Sequence, residues 1–165
     1  MNIVEFIKKA PKAELHLHIE GTLEPEHMFA LAKRNNIQIP FTDADEVKAA
    51  YNFSNLESFL KIFYQGSKVL IKEQDFIDLT WAYALKCKEN NVVHAEIFFD
   101  PQTHVNRGIS FDTVISGIYK ALLRAHKEFG LTFKIIMCFL RHLDEASAFE
   151  MLDQALAHKD KIVGV

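Results

Sequence analysis

The chain has 165 residues, 49% hydrophobic and 25% charged, a balance that supports one folded unit with a sizeable core and excludes an extended disordered polymer. A formal charge of −3, a pI near 6.2, and lysines and arginines dispersed among acids leave no electrostatic footprint for nucleic acid. Cys87 and Cys138 are too few and too far apart for a disulfide framework. No run approaches the ~18 apolar residues of a membrane span, and the segment before Lys9 is too short for a signal peptide. A soluble cytoplasmic protein with no membrane partner and two buried free thiols is the expectation.

The first informative stretch is Lys12-Ala13-Glu14-Leu15-His16-Leu17-His18-Ile19-Glu20-Gly21. Its alternation predicts a strand with Leu15, Leu17 and Ile19 on one face and Glu14, His16, His18 and Glu20 on the other. Side chains two apart on one strand face can bind the same small cation, and neutral imidazole is the commonest protein ligand for zinc. Eight histidines in 165 positions yield roughly 0.4 His-x-His pairs by chance, so the pair alone carries little weight.

After Gly21 the pattern turns helical, with Pro25 in a first turn and Met28, Phe29, Leu31 and Ala32 forming an apolar stripe up to Asn35-Asn36. Asp43 to Tyr51 predicts a short helix from an Asp cap. Ser54-Asn55-Leu56-Glu57 reads as a capping box opening a helix whose Leu56, Phe59, Leu60 and Phe63 share one face. A helix over Glu73 to Glu89 places Phe76, Leu79, Tyr83 and Cys87 on one side, closed by Asn90-Asn91. Val92 to Phe99 is a second strand, dense in β-branched and aromatic residues and ended by Asp100-Pro101. A loop through Arg107-Gly108 leads to a helix opened by Ser110 and Asp112, with Val114, Ile115, Ile118, Leu122, Ala125 and Phe129 facing a core and Gly130 ending it. Phe133 to Leu140 is a third strand, Asp144 caps a helix reaching about His158, and Lys161 to Val165 begins a fourth strand.

Apolar strands separated by helices imply a parallel sheet of βαβ units. Polar residues collect at the strands' C-terminal ends: His16, His18 and Glu20, then Asp100, then Arg141 and His142. Doubly wound sheets and (β/α)₈ barrels both place their active sites at that end. No glycine-rich phosphate loop follows any strand, which favours the barrel over a nucleotide-cofactor fold. A full barrel takes about 250 residues, so four strands amount to half of one. The predicted fold class is α/β, the amino-terminal half of a (β/α)₈ barrel, with residues 1–165 as one partial domain.

Three strand segments together carry a family likeness. Pro11 to Leu23, Val92 to Pro101, and Cys138-Phe139-Leu140-Arg141-His142 resemble, in order and separation, the first three strands of the adenosine/adenine deaminase family, zinc hydrolases built on a (β/α)₈ barrel. Phe98-Phe99-Asp100-Pro101-Gln102-Thr103-His104 looks most like the branch acting on free adenine. Glu20 points the same way, because adenosine deaminases usually have Asp there to contact the ribose and a Glu occupies part of that space.

The resemblance implies hydrolysis of the purine 6-amino group, giving hypoxanthine and ammonia in purine salvage, with Zn²⁺ as cofactor and a small purine as partner. Zinc lowers the pKa of a water it binds from about 15.7 toward ~7. His16 and His18 would be two metal ligands; Glu20, Leu56, Phe59 and Leu60 would contact the substrate. A catalytic zinc usually has three or more protein ligands. The remaining ligands and the proton shuttle belong to strands expected after Val165, so no catalytic residue is assigned within this chain, and the 165-residue segment by itself is expected to be inactive. His104 and His142 are the nearby candidates for a replacement third ligand, although the resemblance gives neither that role. Asp100 reads as a strand end or a substrate contact. Adenosine deamination, and a non-catalytic half-barrel that self-associates through uncovered sheet edges, are the alternative readings.

Overall fold

The computed structural model describes residues 2–165. Four parallel strands, β1 (Lys12–His18), β2 (Val92–Phe99), β3 (Thr132–Met137) and β4 (Ile162–Gly164), form one open sheet in the order β1-β2-β3-β4. Helices α1 (Ile3–Lys9), α2 (Pro25–Asn35), α3 (Ala44–Ala50), α4 (Leu56–Ser67), α5 (Glu73–Glu89), α6 (Pro101–Val105), α7 (Phe111–Phe129) and α8 (Glu145–Leu156) fill the connections, with a 3₁₀ turn at Ile19–Thr22 directly after β1. The strand-helix alternation and its parallel pairing bear out the half-barrel. No helix among the described residues is long and apolar enough to cross a membrane.

The core lies between one face of the sheet and α5 and α7. Ala95, Ile97 and Phe99 of β2 and Ile135 and Met137 of β3 meet Phe76, Leu79, Ile115, Ile118 and Leu122, all fully buried. Each large aliphatic or aromatic side chain withdrawn in this way contributes about 1.5–3 kcal/mol. Gly117 lets α5 and α7 approach closely, since a Cβ there would lie 2.6 Å from the Cβ of Phe76 and 2.7 Å from the Glu73 carbonyl oxygen. Gly130 adopts the left-handed backbone (φ 78°) and stops α7.

Helix starts follow their capping residues with one shift: α4 begins from Asn55, whose Oδ1 accepts from the Ser58 N–H at 2.9 Å, one residue after the box read at Ser54. Two short helices had no periodic pattern long enough to reveal them. One is α1, capped by the Asn2–Glu5 box and burying none of its residues; the other is α6, which begins at Pro101 where a loop is expected. The third strand ends at Met137, three residues early: the Cys138 N–H still reaches the Phe99 carbonyl at 2.9 Å, but the Leu140 N–H is taken by the Gln102 side chain at 2.6 Å instead of a strand partner.

The strand faces also depart from simple alternation. Glu14 pairs with Ala95 and Leu17 with Ile97, so three steps along β1 match two along β2 and β1 carries an extra residue. Glu14 therefore lies on the helix-packed face with Ala95, where its Oε2 accepts from the Tyr83 hydroxyl of α5 at 2.9 Å. His18 pairs with Phe98 on the opposite, open face. Glu14 does not share a face with His16 and His18.

Beside the core, Asp75 joins the end of α2 to the start of α5. Its carboxylate accepts from the N–H groups of Ile71 (2.8 Å) and Lys72 (2.7 Å), from the Asn35 amide (2.7 Å), and from Arg34. Burial alone pushes this carboxyl up, but those donors outweigh it and hold Asp75 below the usual carboxylate range. A depressed folded-state pKa stabilises the fold above the unfolded value of 3.8, and that stabilisation is lost as pH falls through the lower folded value. Asp75→Asn is expected to cost about 1.5–3 kcal/mol at pH 7, because the Ile71 and Lys72 N–H groups lose a charged acceptor, while Arg34 is partly exposed and keeps Asp78 as a partner. Urea denaturation at pH 7 and pH 3 checks this: the gap between wild type and variant is full at pH 7 and narrows at pH 3.

Candidate active site

At the C-terminal ends of the strands, the open face carries His16 and His18, both stacked on the ring of Phe98 at centroid distances of 4.3 and 5.6 Å. Their own rings lie 5.7 Å apart. Flat packing on Phe98 holds both imidazoles in one orientation without using their nitrogens. His18 Nδ1 meets Oδ2 of Asp100 at 3.3 Å, and Asp100 is itself buried where β2 ends. The Asp100 hydrogen bond holds the His18 imidazole above its ordinary range, with burial working against it and the charges of Asp100 and Glu20 reinforcing it. A carboxylate on one ring nitrogen leaves the other to face a metal, the arrangement that orients histidine ligands in zinc sites.

Cys138, just past β3, joins this group. Ligand atoms of His18, Asp100 and Cys138 all lie within 4.8 Å of one another. Imidazole and carboxylate are donors that zinc accepts, whereas a cysteine binds it only as the thiolate, so the residues present fit the ion through the imidazole and carboxylate of this group. Cys87 is buried as expected, whereas Cys138 is only half-buried because it borders the cleft. Burial, then the charges of Asp100 and Glu20, push the Cys138 thiol up to about 12.

Two cavities share Gly21, Phe59 and Phe63. The larger, about 730 Å³, is bordered by His16, His18, Leu60, Phe98, Asp100, Cys138, Arg141 and His142. The smaller, about 150 Å³, is apolar apart from Glu20 and Tyr51, with Leu23, Met28, Phe53 and Ile62 completing its wall. Helix α4 thus forms one wall of both. Phe59 is 38% exposed toward these spaces and Leu60 borders the larger one, while Leu56 is 70% exposed and lines neither. The outward position of Leu56 follows from its place as the first residue of α4, where no turn lies above it.

Glu20 sits on the 3₁₀ turn rather than on the strand face. Its side chain is fully buried; Oε1 accepts from the Asp100 backbone N–H at 3.0 Å and meets His104 Nε2 at 3.0 Å. His104 is also fully buried, and its Nδ1 faces Arg107 Nη2 at 2.9 Å. Both ring nitrogens are therefore engaged, which rules His104 out as a replacement metal ligand. His142 borders the larger cleft at its exposed rim. Asp100, Cys138, His104 and Arg107 were not among the assigned site residues; the signal available for the first two was their position just beyond strand ends, the layer where His16 and His18 also lie.

A raised thiol pKa has a direct consequence. Cys138 is expected to react with iodoacetamide at pH 8 at least about tenfold more slowly than a free cysteine of pKa ≈ 8.5, because little thiolate is present. Peptide mass mapping over a time course measures this, and alkylation at the free-cysteine rate would contradict it.

The adenosine deaminase family model matches residues 11–165. An adenine deaminase of Psychrobacter cryohalolentis is 61% identical over 163 residues, covering 99% of this chain and 49% of that protein. The crystal structure of adenine deaminase from Arthrobacter aurescens superposes with a TM-score of 0.89 at 47% identity, over 93% of this chain and 47% of that one. A zinc-bound amidohydrolase from Burkholderia ambifaria shares the fold, with a TM-score of 0.87 at 24% identity over 99% of this chain and 46% of the other. The chain spans about half the length of the relatives it matches. With four parallel strands, two histidines at the end of the first, and a family match running through all four, this chain belongs to the adenosine deaminase family.

Proposed function

We propose that this chain contributes part of the active site of a zinc-dependent aminohydrolase that converts adenine to hypoxanthine and ammonia in purine salvage. The observation that carries the reading is the pair of imidazoles His16 and His18, held on the open face beside an aromatic-walled cavity that contains one buried carboxylate. The adenine deaminases that match nearly all of this chain support the choice of substrate.

In this reading His16 and His18 hold the zinc, which supplies an activated water when bound. Asp100 keeps the His18 ring in position through Nδ1. Phe59, Leu60 and Phe63 exclude bulk water from a flat heteroaromatic base and strengthen the polar contacts around it. Leu56, at the outer end of α4, closes on the purine only if that end of the helix moves inward. The remaining metal ligands and the groups that move protons come from the portion of the relatives' length that this chain does not span.

Two measurements test the reading on the full-length protein that carries this chain. Ultraviolet assays are expected to show adenine deaminated at least about tenfold more efficiently than adenosine, the tenfold step being ~1.4 kcal/mol of transition-state discrimination; equal turnover would sink the adenine assignment. Elemental analysis of the His16→Ala, His18→Ala double variant is expected to show zinc falling from stoichiometric to trace, and retained zinc would remove both residues from the site.

A further inference from the structure

Glu20 has one oxygen without a partner. Oε1 takes two donors, whereas Oε2 is buried and makes no hydrogen bond among the described residues. An unpaired buried acceptor is costly, so a donor presented to it from the adjoining cavity is strongly favoured. Glu20 borders the small apolar cavity of about 150 Å³, a volume of the order that holds a single aromatic ring.

The donors on Oε1 are fixed from behind. Arg107 has only N–H groups to offer, so the nitrogen it faces, His104 Nδ1, must accept. The His104 proton is therefore on Nε2, aimed at Glu20 Oε1. Arg107 in turn donates to the carbonyls of Thr103, Ser67, Lys68 and Leu70, which anchors it to the C-terminal end of α4. A continuous line runs from the last carbonyls of the cavity-wall helix through Arg107 and His104 to Glu20, and the Asp100 N–H gives the same oxygen a second donor.

We propose that Glu20 Oε2 is the acceptor for the imidazole-ring N–H of a free purine base, and that His104 and Arg107 are positioning residues that keep this oxygen an acceptor. The proposal rests on the aminohydrolase reading and deepens it. Free adenine carries one imidazole-ring N–H, which substitution at N9 removes. Selection against nucleosides then comes from an acceptor left unpaired as well as from the bulk of the sugar, and a site built to bond a ligand N–H rejects analogues lacking it far more strongly than a merely tight one does.

The experiment compares adenine, 9-methyladenine and adenosine on the full-length metal-loaded protein, with direct binding of adenine and 9-methyladenine followed by calorimetry. 9-Methyladenine lacks the ring N–H yet adds only a methyl group. Wild type is expected to favour adenine over 9-methyladenine by about 100-fold or more in kcat/KM and to bind it more tightly. In Glu20→Gln the two donors hold the amide oxygen at the Oε1 position, which puts NH₂ where Oε2 was; preference for adenine should collapse to within about threefold, mainly through KM. His104→Leu should lose about 10-fold or more of the preference, and His104→Gln, which keeps an N–H near Nε2, should restore most of it. If wild type processes or binds 9-methyladenine as well as adenine, the N–H contact is wrong while the deaminase reading survives. If it deaminates neither adenine nor adenosine, the deaminase reading itself fails. Full preference retained in a folded His104→Leu protein, or in Glu20→Gln should His104→Leu not fold, overturns the proposed relay.

Discussion

The extra residue that β1 carries between Glu14 and Leu17 is the constraint on which the site depends. A strand paired without it would keep Glu14, His16 and His18 on one face. Glu14 is already committed to Tyr83 in the helix layer, where burial, Cys87 and Glu14 itself push the phenol pKa up and keep its proton available to donate. The same face two steps on is packed by Ile97 and α5, with no room for solvated imidazoles. One inserted residue separates the two jobs: Glu14 ties β1 to α5, and the histidines emerge on Phe98. Local pairing irregularities beside active sites serve this purpose widely, since they re-aim side chains without altering the fold.

A second consequence concerns the ends of β1 and β2. Glu20 accepts the Asp100 N–H at the point where β2 leaves the sheet, and the Asp100 carboxylate accepts from His18 Nδ1 at the end of β1. The two strand ends are thus linked through side chains where the backbone ladder stops. Buried polar groups are costly unless every member has a partner, and such linkage limits how the ends can move relative to each other. Arg107 extends the link to α4, so the wall that faces the cavity is tied to the floor that holds the histidines.

The elements with long periodic patterns were legible in the chain itself. Phe76, Leu79, Tyr83 and Cys87 of α5 and Val114, Ile115, Ile118, Leu122 and Ala125 of α7 are buried as their spacing predicts, with Phe129 half-buried at the end of α7, because a helical stripe over many turns is set by local spacing. Helices α1 and α6 were missed because a turn or two of helix leaves no such stripe. The spacing of His16 and His18 predicts that they lie together at a strand's end, and their rings are 5.7 Å apart there. The sequence shows Asp100 only as a strand end, since its contact with His18 spans 82 positions.

What the sequence by itself determined is therefore the alternation of strands and helices, the parallel half-barrel, and the position of the two histidines at a strand's end, all consequences of local periodicity and turn chemistry. Which way those histidines face was decided only by tertiary structure, because a strand's register exists only relative to its partner. The burial of Glu20 and its bond to His104 were decided there too: the two residues are 84 positions apart, and nothing in the chemistry of either one names the other.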